Sequence, residues 1–171
     1  LLLVQIGGLS VITLSVFILM LFKAKIGIND RVILKESLNQ NSLSGVVKHI
    51  KKIVITAFII EFISLLVNLF IFVPSHGWAD GLGISAFHAI SAFNNAGFDI
   101  LGPNSLKLYN GHLLLNLNTA LTIMLGGFGF IVIHDIIEKK SYKKLNSHSK
   151  IVIKMNLILW IGGMLIFKIT Q

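Results

Sequence analysis

Residues 1–22 carry no charged side chain, residues 113–133 carry none, and residues 53–73 carry only Glu61. A helix rises 1.5 Å per residue, so about 21 residues reach roughly 31 Å, enough to cross a hydrocarbon core of roughly 30 Å. A fourth apolar run, 151–169, is shorter in effect because Lys154 and Lys168 lie near its ends, where long cationic side chains can reach the interfaces. Four membrane spans are therefore expected. The chain is 54% hydrophobic and 13% charged over 171 residues. A water-soluble globule of that size leaves too much surface exposed to hide this apolar content, and lipid is the solvent that suits it. There is no cysteine, which removes disulfides and thiolate metal sites from consideration. Both ends fall inside apolar runs, so the polypeptide is expected to continue in both directions.

The formal charge of +8 raises the question of nucleic acid, but its distribution argues against it. Lys23, Lys25, Arg31, Lys35, Lys48, Lys51 and Lys52 lie between the first two runs, and Lys139, Lys140, Lys143, Lys144, Lys150 and Lys154 between or beside the last two. Residues 74–112 hold only Lys107. That asymmetry is the positive-inside pattern. It places linkers 23–52 and 134–150 in the cytoplasm of a multi-pass plasma-membrane protein, with lipid as its surroundings and no nucleic-acid partner. Asp30 can cap a short amphipathic helix in the first linker; a solvated linker is the other reading.

Between the second and third runs, residues 81–96 read GLGISAFHAISAFNNA, too apolar for an external loop and too short to span. A helix over 83–93 would measure about 16 Å, half a bilayer. Irregular backbone at membrane depth needs protein or water around it, so the segment is expected to enter and return. A half-helix pointing inward brings its negative dipole end toward the membrane centre, which favours a cation. The extended residues after it can then replace the cation's hydration shell with carbonyl oxygens. Asn95, Ala96, Gly97, Phe98 and Asp99 form that candidate filter, with Gly97 supplying backbone freedom at its centre. An interfacial helix followed by a glycine turn is the structural alternative.

The chain also repeats itself. Gln5-Ile6-Gly7-Gly8-Leu9 in the first run resembles Met124-Leu125-Gly126-Gly127-Phe128 in the third, and Lys52-Ile53-Val54-Ile55 recurs as Lys150-Ile151-Val152-Ile153. The order of the matches fits one repeating unit. Residues 1–22 would be the inner helix that ends a preceding repeat. Residues 53–133 would be a complete repeat, with outer helix 53–73, pore helix 83–93, filter 95–99 and inner helix 113–133. Residues 151–171 would start the next outer helix. The expected fold class is thus an all-α membrane protein built on a helix–pore loop–helix repeat, potassium-channel-like in that Ala96-Gly97-Phe98 resembles the Val-Gly-Tyr centre of the potassium-channel filter.

Phe87 to Asp99, the glycine stretch 124–130 and residues 5–9 together resemble the Trk/Ktr/HKT superfamily of potassium transporters, most closely its Ktr membrane subunits. The resemblance implies four covalently joined repeats around one pore, each giving one filter strand, and places this repeat second. It implies a pore-forming subunit of a potassium uptake transporter, with potassium as the transported ion and sodium as a second candidate. The remaining repeats of the same chain, a homodimeric partner and a cytosolic nucleotide-binding regulatory subunit are the implied partners. A secondary cation transporter with broken helices is the competing class, since its half-helix ends also bind ions near the midplane.

Other polar residues are candidates for the pathway or for supporting the filter. Glu61, buried in a span, must face protein or water; Ser64 and Asn68 share its helical face. Asn118, Thr122 and Gly126 form a comparable stripe on the third run, where small and polar residues commonly allow close helix contact. Asn94 directly precedes the filter. Asp99 and Asp80 face outward in this reading and can concentrate cations. His76, His88 and His112 match no metal-ligand spacing, and His88 is expected to satisfy a local hydrogen bond. The glycines at 126, 127 and 129 lie inside an apolar run with no strand before them, unlike a phosphate-binding loop. No nucleophile–base pair or paired carboxylates appear, so an enzyme is not expected.

Overall fold

A computed structural model of the chain describes residues 1–8 and 43–170. Most of the first run, the linker from 23 to 42 and its amphipathic helix lie outside the described residues. The described elements are helices: α1 (Leu2–Gly8), α2 (Leu43–Phe93), α3 (Leu113–Phe128), α4 (Phe130–Lys139) and α5 (Ser147–Thr170), with short 3-10 turns at Ser105–Tyr109 and Tyr142–Lys144. The chain is an all-α membrane protein. Two of its helices are long and apolar enough to cross a bilayer, and α3 with α4 would make a third span if taken together.

α2 is two helices joined at a corner. Gly77 leaves helical geometry at φ 79°, ψ 176°, a left-handed φ that suits glycine. Pro74, just before it, removes an amide donor, and the Ser75 hydroxyl lies 3.2 Å from the carbonyls of both Ile71 and Phe72. The segment 78–93 then folds back along 53–76. The turn is tight enough that a Cβ on Gly81 would lie 2.7 Å from the Val73 Cα. The helical start at residue 78 precedes the expected 83, because the corner glycine, not a polarity change, sets the boundary.

Two apolar clusters tie the returning segment to its neighbours. Beside the Gly77 corner Ile71, Phe72, Ile84 and Leu115 pack together, flanked by Leu101, Leu106 and Tyr109. At the end away from that corner Phe93 packs on Ile53 and Ala57, with Ile60 and Phe130 against them. The second cluster bears on the expected continuous inner helix over 113–133. Gly129 adopts φ 77°, ψ 149°, and α4 leaves α3 at 100°. That bend accompanies the Phe130 ring's position 6.3 Å from the ring of Phe93. The opposite face of α2 stays open, with Phe58, Phe62 and Phe70 exposed. α5 buries only Ser149. Such surfaces belong against lipid or further helices rather than water.

Candidate ion-pathway site

The helix 78–93 ends at Phe93, and the chain turns through Asn94 and Asn95 into irregular backbone. The Asn94 and Asn95 amides still reach back to the carbonyls of Ile90 and Ala92, at 3.0 and 3.2 Å. Asn95 itself is left-handed at φ 53°, a conformation that asparagine tolerates better than most residues, and Gly97 follows at φ 71°. The Ala96 amide donates to the Ser91 carbonyl at 2.9 Å. Ser91 then closes a second loop: its hydroxyl donates to the Phe98 carbonyl at 2.6 Å and accepts the Phe98 amide at 3.0 Å. One buried serine thus pins the strand to the helix on both sides of Gly97. It also engages the Phe98 carbonyl, leaving those of Asn95, Ala96 and Gly97 as the ones free of this clamp.

Asp99 ends the strand. Its carboxylate accepts the Leu101 amide at 2.9 Å and the Ser105 hydroxyl. The Ser105 hydroxyl, then the Leu101 amide, hold its pKa below the ordinary carboxylate value, so it is charged at neutral pH. Behind the strand lies a cavity of about 260 Å³ lined by His88, Ser91, Asn95, Asp99, Ser105 and Thr119 among others. His88 Nε2 lies 2.8 Å from the Thr119 hydroxyl, and its ring meets Phe72 edge-on at 6.0 Å. The histidine's partner is therefore on α3, 31 residues away, rather than local.

The two polar stripes meet each other. Asn118 Nδ2 donates to the Ser64 carbonyl, the Ser64 hydroxyl and Asn68 Oδ1 at 3.2, 3.1 and 2.9 Å. Thr122 donates to the Ser64 hydroxyl at 3.0 Å and lies 2.7 Å from the Asn118 carbonyl. This ladder joins α2 to α3 behind the returning helix. Gly126, on the same face, brings α3 so close that a Cβ there would overlap the Phe93 carbonyl. Asp80 is exposed beyond the Gly77 corner, away from these groups. His76 sits with Ser75 and Tyr109 at the same outer corner, and His112 caps α3 by accepting the Leu115 amide.

Glu61 is 5% exposed and meets two amides: Gln5 Nε2 donates to one of its oxygens at 3.0 Å and Asn94 Nδ2 to the other at 3.1 Å. Asn94 Nδ2 also faces Gln5 Oε1 at 3.2 Å and the Ile90 carbonyl at 2.8 Å. The sequence marks Glu61 and Asn94 as filter support and Gln5 only as part of a repeat, with no means of joining residues 5, 61 and 94. Sequence reasoning also missed Ser91, because its partner Phe98 lies past the end of the helix, where helical spacing no longer tells which residues meet. Among the described residues no group of three or more His, Cys, Asp or Glu could hold a metal ion.

Residues 1–163 match the TrkH family, described as cation transport protein. The chain belongs to the TrkH family. Its members are transporters rather than enzymes. The chain is 39% identical over 169 residues to the potassium/sodium uptake protein NtpJ of Enterococcus hirae, a match covering 99% of this chain and 37% of that protein. It is 40% identical over 157 residues to the Ktr system potassium uptake protein B of Bacillus subtilis, covering 92% of this chain and 35% of that one. The corresponding Vibrio alginolyticus protein is 33% identical over 171 residues, covering 99% and 37%. The chain thus spans little more than a third of the length of these curated relatives.

Proposed function

We propose that this chain forms one quadrant of a potassium-conducting pore, in which residues 95–99 supply a filter strand and the carbonyls of Asn95, Ala96 and Gly97 face the ion. The observation that carries the reading is the Ser91 clamp on Phe98 with Gly97 left-handed between the helix end and the clamp. A segment tethered on its back by a hydroxyl, with left-handed residues at 95 and 97, is free to turn its carbonyls the other way. The negative end of the 78–93 helix dipole adds cation attraction near the start of the strand. A ring of carbonyls needs about four strands, so the remaining repeats of the full-length chain complete the filter.

Potassium is the transported ion, with sodium as its competitor; both appear in the names of the relatives. The name Ktr system fits a multi-component assembly, and we extend the reading to a homodimeric plasma-membrane subunit with a cytosolic nucleotide-binding regulator. Linkers 23–52 and 134–150 are cytoplasmic in this reading. The bend at Gly129 is the feature that favours a broken-helix secondary transporter. Three further glycine-centred loops in the full-length chain favour the pore, whereas an inverted duplicate favours the transporter.

The test is Gly97→Ser against Gly127→Ser in the full-length protein. A Cβ at Gly97 meets nothing within 4 Å, so the cost is one of conformation: a left-handed non-glycine residue is penalised by about 1–2 kcal/mol, near tenfold in an equilibrium. The strand relieves that strain by rotating its carbonyls. A Cβ at Gly127 meets only Asn156 Oδ1 at 3.9 Å, an ordinary contact. Uptake affinities for potassium and sodium at matched membrane protein level should change for Gly97→Ser and stay near wild type for Gly127→Ser. Unchanged affinities in Gly97→Ser would remove residues 95–99 from the filter.

A further inference from the structure

The contact of Gln5, Glu61 and Asn94 joins three separate parts of the repeat pattern: α1, the first half of α2, and the residue that opens the candidate filter strand. Gly8 belongs to the same contact. A Cβ there would overlap the Asn94 side-chain amide, so α1 is seated directly on that amide. The Asn94 amide nitrogen, with two hydrogens, faces three acceptor oxygens, one of them a buried carboxylate. Its position is over-determined. Because the candidate filter strand begins at the next residue, a displacement of the Asn94 backbone is passed to Asn95.

The repeat register shows that this contact is not a general feature of the boundaries between repeats. Aligning Gly7-Gly8 with Gly126-Gly127 sets Gln5 opposite Met124, and aligning Ile53 with Ile151 sets Glu61 opposite Leu159. The next boundary has an apolar pair where this one has an amide and a carboxylate. The polar contact is thus particular to this boundary in the repeat register.

We infer that Glu61, with Gln5, is a positioning residue for ion selectivity: a polar latch across this one repeat boundary that sets the orientation of Asn94 and thereby of the filter strand in this quadrant. The inference rests on the filter reading of residues 95–99. Glu61 acts through Asn94 and does not touch the ion. Both of its oxygens are engaged by amide donors, and the latch is reciprocal in geometry, so the acid and the amide can exchange places. A carboxylate at position 5 would accept from Asn94 and from an amide at position 61.

The test uses the full-length transporter in a potassium-uptake-deficient strain. It measures the ratio of potassium to sodium uptake affinity at matched membrane level for Glu61→Gln, for the exchanged pair Gln5→Glu with Glu61→Gln, and for Gly8→Ala. Glu61→Gln turns an acceptor into a donor facing a donor, and should lower the ratio about tenfold, the scale of one misplaced charged hydrogen bond. The exchanged pair should recover most of that loss. Gly8→Ala should shift the ratio in the same direction with every charge intact. An unchanged ratio in Glu61→Gln, when Gly97→Ser does change it, overturns the latch and spares the filter. Equal loss in Glu61→Gln and the exchanged pair overturns it in favour of charge at position 61. If only one variant reaches the membrane, its ratio decides. If none does, the cluster is a folding requirement and the positioning role is wrong.

Discussion

Gly126 and Gly127 are neighbours on one helix, yet their surroundings give them opposite roles. A Cβ at Gly126 runs into the Phe93 carbonyl, a backbone atom that cannot step aside without moving the end of the 78–93 helix. Overpacking of this kind costs about 1–3 kcal/mol. At Gly127 there is room, and alanine in a helix interior is favoured over glycine by up to about 1 kcal/mol. Gly126→Ala should therefore lower the thermal stability of the detergent-solubilised full-length protein, while Gly127→Ala should leave it level or raise it. Equal effects would mean that α3 does not approach Phe93 as described. The same contact connects packing to function, since Phe93 is two residues before the candidate filter.

Among the elements, the α4–α5 corner is held by a single carboxylate. Asp135 accepts the Asn146 backbone amide at 2.8 Å and its side-chain amide at 3.1 Å, just ahead of α5, and pairs with Lys139 at 3.0 Å. The Ser149 hydroxyl above all, then the Asn146 amide and Lys139, bring its pKa down to about 2 against the opposing effect of desolvation. A depressed carboxylate pKa stabilises the folded state fully above the unfolded value near 3.8 and loses that contribution as pH falls through about 2. Asp135→Asn should accordingly melt below wild type at a constant offset from neutral pH to about 4, with the offset closing in more acid solution. An offset that persists unchanged to about pH 2 would show that shape, not charge, holds the corner.

For the whole molecule, the proposed orientation rests on where the lysines lie relative to the spans. Asn104 directly precedes the 3-10 turn between the returning segment and α3, and Ser147 opens α5; both are exposed. In an otherwise cysteine-free full-length protein on intact cells, an impermeant thiol reagent should label a cysteine at Asn104 and spare one at Ser147. Labelling with the opposite preference would invert the topology and put the candidate filter's outer end in the cytoplasm. The open face of α2 and nearly all of α5 are then the surfaces left for lipid and for the proposed neighbouring repeats.

The apolar runs, the lysine asymmetry and the glycine-centred loop were legible in the sequence because each depends on composition within a window of about 20 residues, the length that a bilayer imposes. Family membership was legible for a related reason: the run from Phe87 to Asp99 carries its own pattern. The bend at Gly129 was not, since that glycine sits within an apolar run otherwise suited to helix; at Gly77 a break between 73 and 83 was expected, and only the residue that makes the corner was missed. The same holds for the polar residues. Glu61, Asn68, Asn118 and Thr122 could be recognised as buried and in need of partners, but which partner each takes depends on helices that are far apart in sequence. Ser91 on Phe98, Asn118 on Ser64, and Gln5 with Glu61 on Asn94 are pairings made by the fold-back of α2 and the approach of α1 and α3. A hydrogen bond needs its two atoms within about 3 Å, and only the tertiary structure decides which atoms come that close.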